Sequence, residues 1–352
     1  MKPSHKSLLF LAIPVLITSC HTLNSTQTSV VKRFATTSKE ITELPHKLLY
    51  NYYSIEFKAN QLDPENYVIK DSLKQGFDKL AENAMLKIEK IRKDYYRNLR
   101  TAGDVKVVYE LLQTYINSLE KLADDKYSKD FEKKSVEMGN KMNGLVSKLN
   151  TSPQKKVNIS FNPGEWLTAI VTAYGRTKLK TKQANFLKEY ITKADTLVQA
   201  INENFQDFEG PYLKDAFEEA ERNIRGQFKQ SIAPYLQYFN RHPDSTTTIV
   251  AIEFYSKIIP VYYELTEDIH KNLLLVERAD SLLNNLAYTH GLMKNMFNSS
   301  NNWVSVLEEV NGLKDKMSLL KDLFDKEGQD KFSFYKNFVM QNEDLFKTII
   351  NK

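Results

Sequence analysis

Two stretches carry the letters of a metal site: Glu267-Asp268-Ile269-His270 and Glu43-Leu44-Pro45-His46. On a helix, a Glu and a His three positions apart share one face, and two such pairs with two further carboxylates can hold two metal ions inside a bundle. Pro45 interrupts the second motif, and no further glutamates single themselves out, so each stretch reads first as a solvated surface pair. His290 falls in register with Val276, Leu283 and Leu286 and reads as a hydrogen-bonded, partly buried histidine rather than a ligand or base. His242 lies in the turn His242-Pro243-Asp244-Ser245 and reads as exposed. The chain contains no Gly-x-Ser-x-Gly, no glycine-rich phosphate loop and no Cys/His nucleophile pair. A carboxylate pair for glycan cleavage assembles only in space and leaves no local motif. No residue is therefore assigned to catalysis, to a cofactor or to a metal.

Two patches could serve recognition instead. Arg176, Lys178, Lys180, Lys182, Lys188 and Lys193 crowd one helical stretch, but at about 100° per residue they spread over several faces. They read as a solvated surface, with contact to an anionic envelope polymer or to phospholipid headgroups as the sharper alternative. Most of the 19 Phe and 19 Tyr fall on apolar stripes, whereas Tyr50, Tyr52, Tyr53 and Phe57 are less one-sided and could face a partner.

The elements that must position these residues are almost all helices. Apolar residues recur at three- and four-residue steps in Leu73 to Leu99, Val108 to Leu122, Leu187 to Phe205, Leu213 to Tyr235 and Val306 to Phe324. Punctuation sets the expected boundaries. Pro45 complicates the first turns of a helix reaching Phe57, and Asp63-Pro64-Glu65 offers a restart. Gly103 ends one helix, with Asp104 as the next cap, and a looser helix over 126–149 carries Gly139 and Gly144. Val157 to Phe161 alternates and reads as a short extended piece, after which Asn162-Pro163 caps a new helix. Trp166 to Tyr174, apolar on nearly every side, reads as the most buried segment, with Ala169 and Ala173 admitting a close neighbour. Gly210-Pro211 separates two helices, Pro234 kinks one, Pro260 interrupts another, and Phe332 to Ile350 forms the last. The stripes restart at each break, and no fixed-period repeat is visible. The fold class expected is all-α, an elongated antiparallel multi-helix bundle.

The amino terminus has a different character. Lys2 and Lys6 precede Leu8 to Ile17, an uncharged apolar run too short to span a bilayer. Ile17-Thr18-Ser19-Cys20 follows. This resembles the signal peptide and lipobox of bacterial lipoproteins, with Ile17 where the family most often has Leu. The resemblance implies cleavage before Cys20, a thioether-linked diacylglycerol on its sulfur and an acyl group on its amine. Several acyl chains anchor firmly because each buried methylene contributes about 0.8 kcal/mol. Cys20 is the single cysteine, so the body behind it holds no disulfide. No Asp follows Cys20, and by the sorting rule of enterobacterial lipoproteins this points to the periplasmic face of the outer membrane.

Composition closes off other classes. The chain is 41% hydrophobic and 26% charged, as in ordinary folded proteins, and low Gly and Pro counts (11 and 10) disfavour an all-β fold. The net charge of +5 falls by two when Lys2 and Lys6 are removed, which leaves no case for a nucleic-acid partner. The expected organisation is a signal peptide over 1–19, a flexible tether over 20–37, and helical lobes over 38–150 and 163–352 that could form one bundle. The function expected is a membrane-anchored, non-enzymatic binding or scaffold protein with an envelope protein partner. The alternatives are a bundle carrying a lipid or small ligand near Trp166, and an enzyme with a spatially assembled acid or metal site.

Overall fold

The computed structural model describes residues 25–61, 77–124, 129–151, 162–241, 245–297 and 303–320. Among them the chain is all-α, with no strand. The helices are α1 (Ser25–Ile41), α2 (Leu44–Gln61), α3 (Phe77–Leu122), α4 (Lys129–Thr151), α5 (Pro163–Asn204), α6 (Gly210–Arg241) and α7 (Ser245–Met296). A π turn, Phe205–Glu209, joins α5 to α6, and 303–320 is also helical. No described helix is long and apolar enough to cross a membrane. Cys20, the Asp63-Pro64 restart, the Val157 to Phe161 piece, His242 and the Phe332 to Ile350 helix lie outside the described residues.

Side-chain pairs fix the directions. Glu43 with Gln113 and Glu56 with Asn98 run α2 against α3. Asn51 with Asn272 and Lys58 with Glu264 run α2 against α7. Asp195 with His290 and Gln199 with the Ala287 carbonyl run α5 against α7. Each pairing rises along one helix and falls along the other, so all three are antiparallel. At 1.5 Å per residue, the 52 residues of α7 extend about 78 Å.

The first correction concerns residues 20–37, expected as a flexible tether. From Ser25 the chain is already helical, and Val30, Val31, Phe34 and Ala35 are buried. Their spacing makes one apolar face among the Ser and Thr residues. That face docks on α3, where Lys39 pairs with Glu120, and Lys32 approaches Asp124, just past the end of α3, at 3.6 Å. Tertiary burial outweighs a polar composition here. The candidate lobes 38–150 and 163–352 also share a single core, which runs from Val30 to Leu320.

Several expected breaks are absorbed into helix. Gly103 lies exposed inside α3, whose neighbours Ala102 and Val105 are buried, so packing carries the helix through the glycine. Pro260 sits within α7. Gly210-Pro211 does not end a helix; the π turn shifts the register, and the Gly210 N–H bonds to the Phe205 carbonyl five residues back. The looser turn accommodates Pro211, which has no N–H and whose ring crowds the preceding turn. Asn162 does cap α5 as expected: its side chain accepts from the N–H groups of Gly164 and Glu165, with Pro163 in the first turn.

The segment Trp166 to Tyr174 is not the most buried. Leu167, Ile170 and Val171 face inward, but Ala169 and Thr172 are exposed. The close approach is made by glycines instead. Gly139 on α4 lies against Gly164 and Thr168 on α5, with room for no side chain at either glycine. The largest fully buried side chains lie elsewhere, among them Phe34 of α1, Tyr109 and Tyr115 of α3, Tyr190 of α5, Phe205 of the π turn and Phe217 of α6.

Candidate functional site

Three polar assemblies stand out against this apolar interior. The first is a relay running inward from the surface. Lys294 Nζ donates to Asp195 Oδ2 at 2.8 Å. Asp195 Oδ1 lies 3.0 Å from His290 Nδ1, and His290 Nε2 lies 2.7 Å from Tyr115 Oη. An ionised carboxylate can only accept, so Nδ1 carries a hydrogen, which leaves Nε2 of the neutral ring to accept from the phenol. Ser118 Oγ donates to the Tyr115 carbonyl at 2.6 Å and lies 2.7 Å from Tyr190 Oη. The Phe34 and Tyr115 rings wall the imidazole. Burial pushes the Asp195 carboxyl up, but the hydrogen bonds from His290 and Lys294, with the Lys294 charge, outweigh it and hold it well below the usual range. Burial, with Tyr190 and Asp195 nearby, pushes the Tyr115 phenol well above its usual range.

Carboxylate, imidazole and hydroxyl in that order are the components of a nucleophile-activating triad. Here the hydroxyl belongs to a fully buried phenol packed on Tyr190, and His290 is also fully enclosed. A reacting atom needs space beside the nucleophile, and the core fills it. The relay therefore reads as a satisfied polar network that fixes the packing of α1, α3, α5 and α7. His290 sits deeper than its register alone indicated. Asp195, its partner 95 positions away, carried no signal of its own.

The second assembly is set by the π turn. Inserting one residue rotates the chain, so Phe208 is 68% exposed while Glu209 is buried. Glu209 Oε2 accepts from Tyr109 Oη at 2.8 Å, and Oε1 accepts from Asn204 Nδ2 at 2.7 Å. Burial first, and the adjacent Glu209 second, push the Tyr109 phenol up.

The third assembly is reachable from solvent. Two clefts of about 390 and 310 Å³ flank the last turns of α2 and share Glu56 and Asn60. The larger, against α6, is lined by Tyr52, Glu219, Asn223 and Gln227. The smaller, against α3, is lined by Tyr53, Phe57, Asp94 and Tyr95. Asn98 Nδ2 donates to Glu56 Oε2 at 3.0 Å. Burial raises the Glu56 carboxyl above its usual range, Asn98 opposes that, and Asp94 and Glu219 add to it.

The residues singled out in the sequence fall as follows. Tyr50, Tyr52, Tyr53 and Phe57 do not form one exposed patch. Tyr50 is exposed, Tyr53 is buried, Tyr52 packs edge-on against Phe217, and Phe57 stacks near Tyr95 at 4.7 Å. Tyr52 lines the larger cleft, Tyr53 and Phe57 line the smaller, and Tyr50 lines neither. His270 lies 3.8 Å from Glu221 on α6, and Glu43 bonds Lys47 and Gln113. The two Glu-x-x-His motifs are not brought together. Among the described residues, no three His, Cys, Asp or Glu side chains gather as a metal site. Lys188 is exposed, and Lys193 reaches Glu189 and lies over the Trp166 ring. The same indole stacks on the buried Tyr190 ring, with centroids 5.4 Å apart. Compared with known proteins, the chain matches no protein-family model, no curated protein and no solved structure.

Proposed function

We propose that the protein is a lipid-anchored envelope protein whose helical body binds a partner or ligand without catalysing a reaction. The anchor rests on the lipobox-like Ile17-Thr18-Ser19-Cys20. The observation that supports binding over catalysis is the placement of the reactive groups. The His290 and Tyr115 end of the relay is sealed in the core, whereas the reachable polar and aromatic groups line clefts along α2. A surface of tyrosines, amides and carboxylates suits recognition. The long antiparallel helices add stiff faces on which a protein partner could dock.

Fractionation of cells expressing the native chain and its Cys20→Ala variant tests the anchor. The native protein is expected in the membrane pellet and the variant in the soluble fraction, with the same helical circular dichroism. Membrane attachment of Cys20→Ala would overturn the lipoprotein reading. Crosslinking from envelope fractions with photoreactive residues at positions 96 and 223 tests the binding surface, and capture of no partner or ligand would count against it.

A further inference from the structure

We infer that the paired clefts astride Glu56 and Asn60 form a binding site for a neutral glycan chain. This deepens the binding reading above and rests on it. The argument starts from the hydrogen-bonding inventory of the larger cleft. Asn223 and Gln230 present exposed amides, each of which both donates and accepts, beside the amides of Asn60 and Gln227, which also hold partners within the protein. Sugar hydroxyls also do both, so amides match them whichever way each hydroxyl turns. Glu56 and Glu219 add carboxylate oxygens, which can accept from two neighbouring hydroxyls at once.

The remaining lining narrows the choice further. The Tyr52 ring stands in the larger cleft, and Phe57 and Tyr95 stand in the smaller, where the C–H face of a pyranose can lie on them. Ala59 and Ala220 keep the larger floor low. Both volumes lie at the lower end of the range for small-molecule sites, about 300–1,000 Å³. The clefts share Glu56 and Asn60, so a chain of more than one ring that contacts these two residues is placed to use either cleft.

Other ligand classes fit less well. An anionic ligand meets Glu56, Glu219 and Asp94 against only Arg222 and Lys90. A lipid tail meets a lining rich in amides and carboxylates. A compact amine suits the carboxylates but leaves the amide N–H donors facing a group that cannot accept.

The test is an oligosaccharide array probed with the purified full-length protein, followed by calorimetric titration of the best neutral oligosaccharide and of spermidine. Saturable binding of a neutral oligosaccharide is expected. Amide exchange should then slow across 52–60 and 219–230. Asn223→Ala, at an exposed position, should weaken binding about three- to tenfold with unchanged thermal unfolding. Tyr52→Ala should weaken it about tenfold or more, but it also loses packing on Phe217, so Asn223→Ala is the decisive variant. Three results would overturn the inference: silence across the array, spermidine binding in place of sugars, or sugar binding indifferent to Asn223→Ala. None of these bears on Cys20, so the anchor stands or falls separately.

Discussion

Asp195 Oδ1 and His290 Nδ1 sit 3.0 Å apart, the histidine fully enclosed and the Asp195 side chain 14% exposed. The same carboxylate holds Lys294 at 2.8 Å. Its pKa is depressed in the folded state, so its contribution to stability is complete above the unfolded value, about 3.9, and is lost as pH falls through the folded one. Denaturant titrations at stepped pH should show stability declining below about pH 4. Asp195→Ala should unfold about 3 kcal/mol more easily at pH 7, with a flatter acid limb. An unchanged acid limb in the variant would remove Asp195 from the account.

Tyr115 supplies the hydrogen that satisfies His290 Nε2. Tyr115→Phe keeps the ring and deletes only the hydroxyl, leaving a buried acceptor with no donor. A loss of about 1–3 kcal/mol is expected by urea unfolding. His290→Ala should cost more, because it opens a cavity and also strips Asp195 of a donor.

Gly103 on α3 and Gly139 on α4 should respond to alanine with opposite signs. At Gly103 a methyl group meets nothing within 4 Å, so Gly103→Ala should stabilise by about 0.5–1 kcal/mol through helix propensity. At Gly139 the same methyl collides with Thr168 Oγ1 and comes within 2.9 Å of the Gly164 carbonyl. Gly139→Ala should destabilise by about 1–3 kcal/mol as α4 is forced away from α5. Thermal unfolding of the two variants in parallel measures both.

Glu209 holds Tyr109 and Asn204 through its two oxygens, and it faces inward only because of the π turn. A double-mutant cycle of Glu209→Gln and Tyr109→Phe should give a coupling energy above about 0.5 kcal/mol. Additive losses would mean the contact contributes nothing specific.

The helical class was legible because stripes such as Leu187, Ile191, Ala194, Val198 and Ile201 repeat with helical period, and all five are buried. Breaks were over-read wherever they rested on one glycine or proline. Gly103 costs α3 less than the burial of Val105, Val108 and Leu112 returns, and Pro211 is met by a change of helix type rather than an end. The α1 helix was hidden by its Ser and Thr content, although Val30, Phe34 and Ile41 were spaced as a face. His290 could be placed from its own helix. Its partners Asp195 and Tyr115 could not, since long-range pairing has no local period. The clefts were partly legible, in that the unusual tyrosine spacing of α2 marked the right helix but not the neighbours that make its walls.

Were Cys20 to carry a lipid, the early start of α1 would set how far the body can stand from a membrane. A lipid on Cys20 would be five residues from Ser25, a span of at most about 18 Å when fully stretched, against about 65 Å for the 18-residue leash that the polar composition implied. Such a body would be hitched rather than leashed. It could sweep only a narrow zone above the headgroups, and whatever it meets farther out must be met along the length of its own helices.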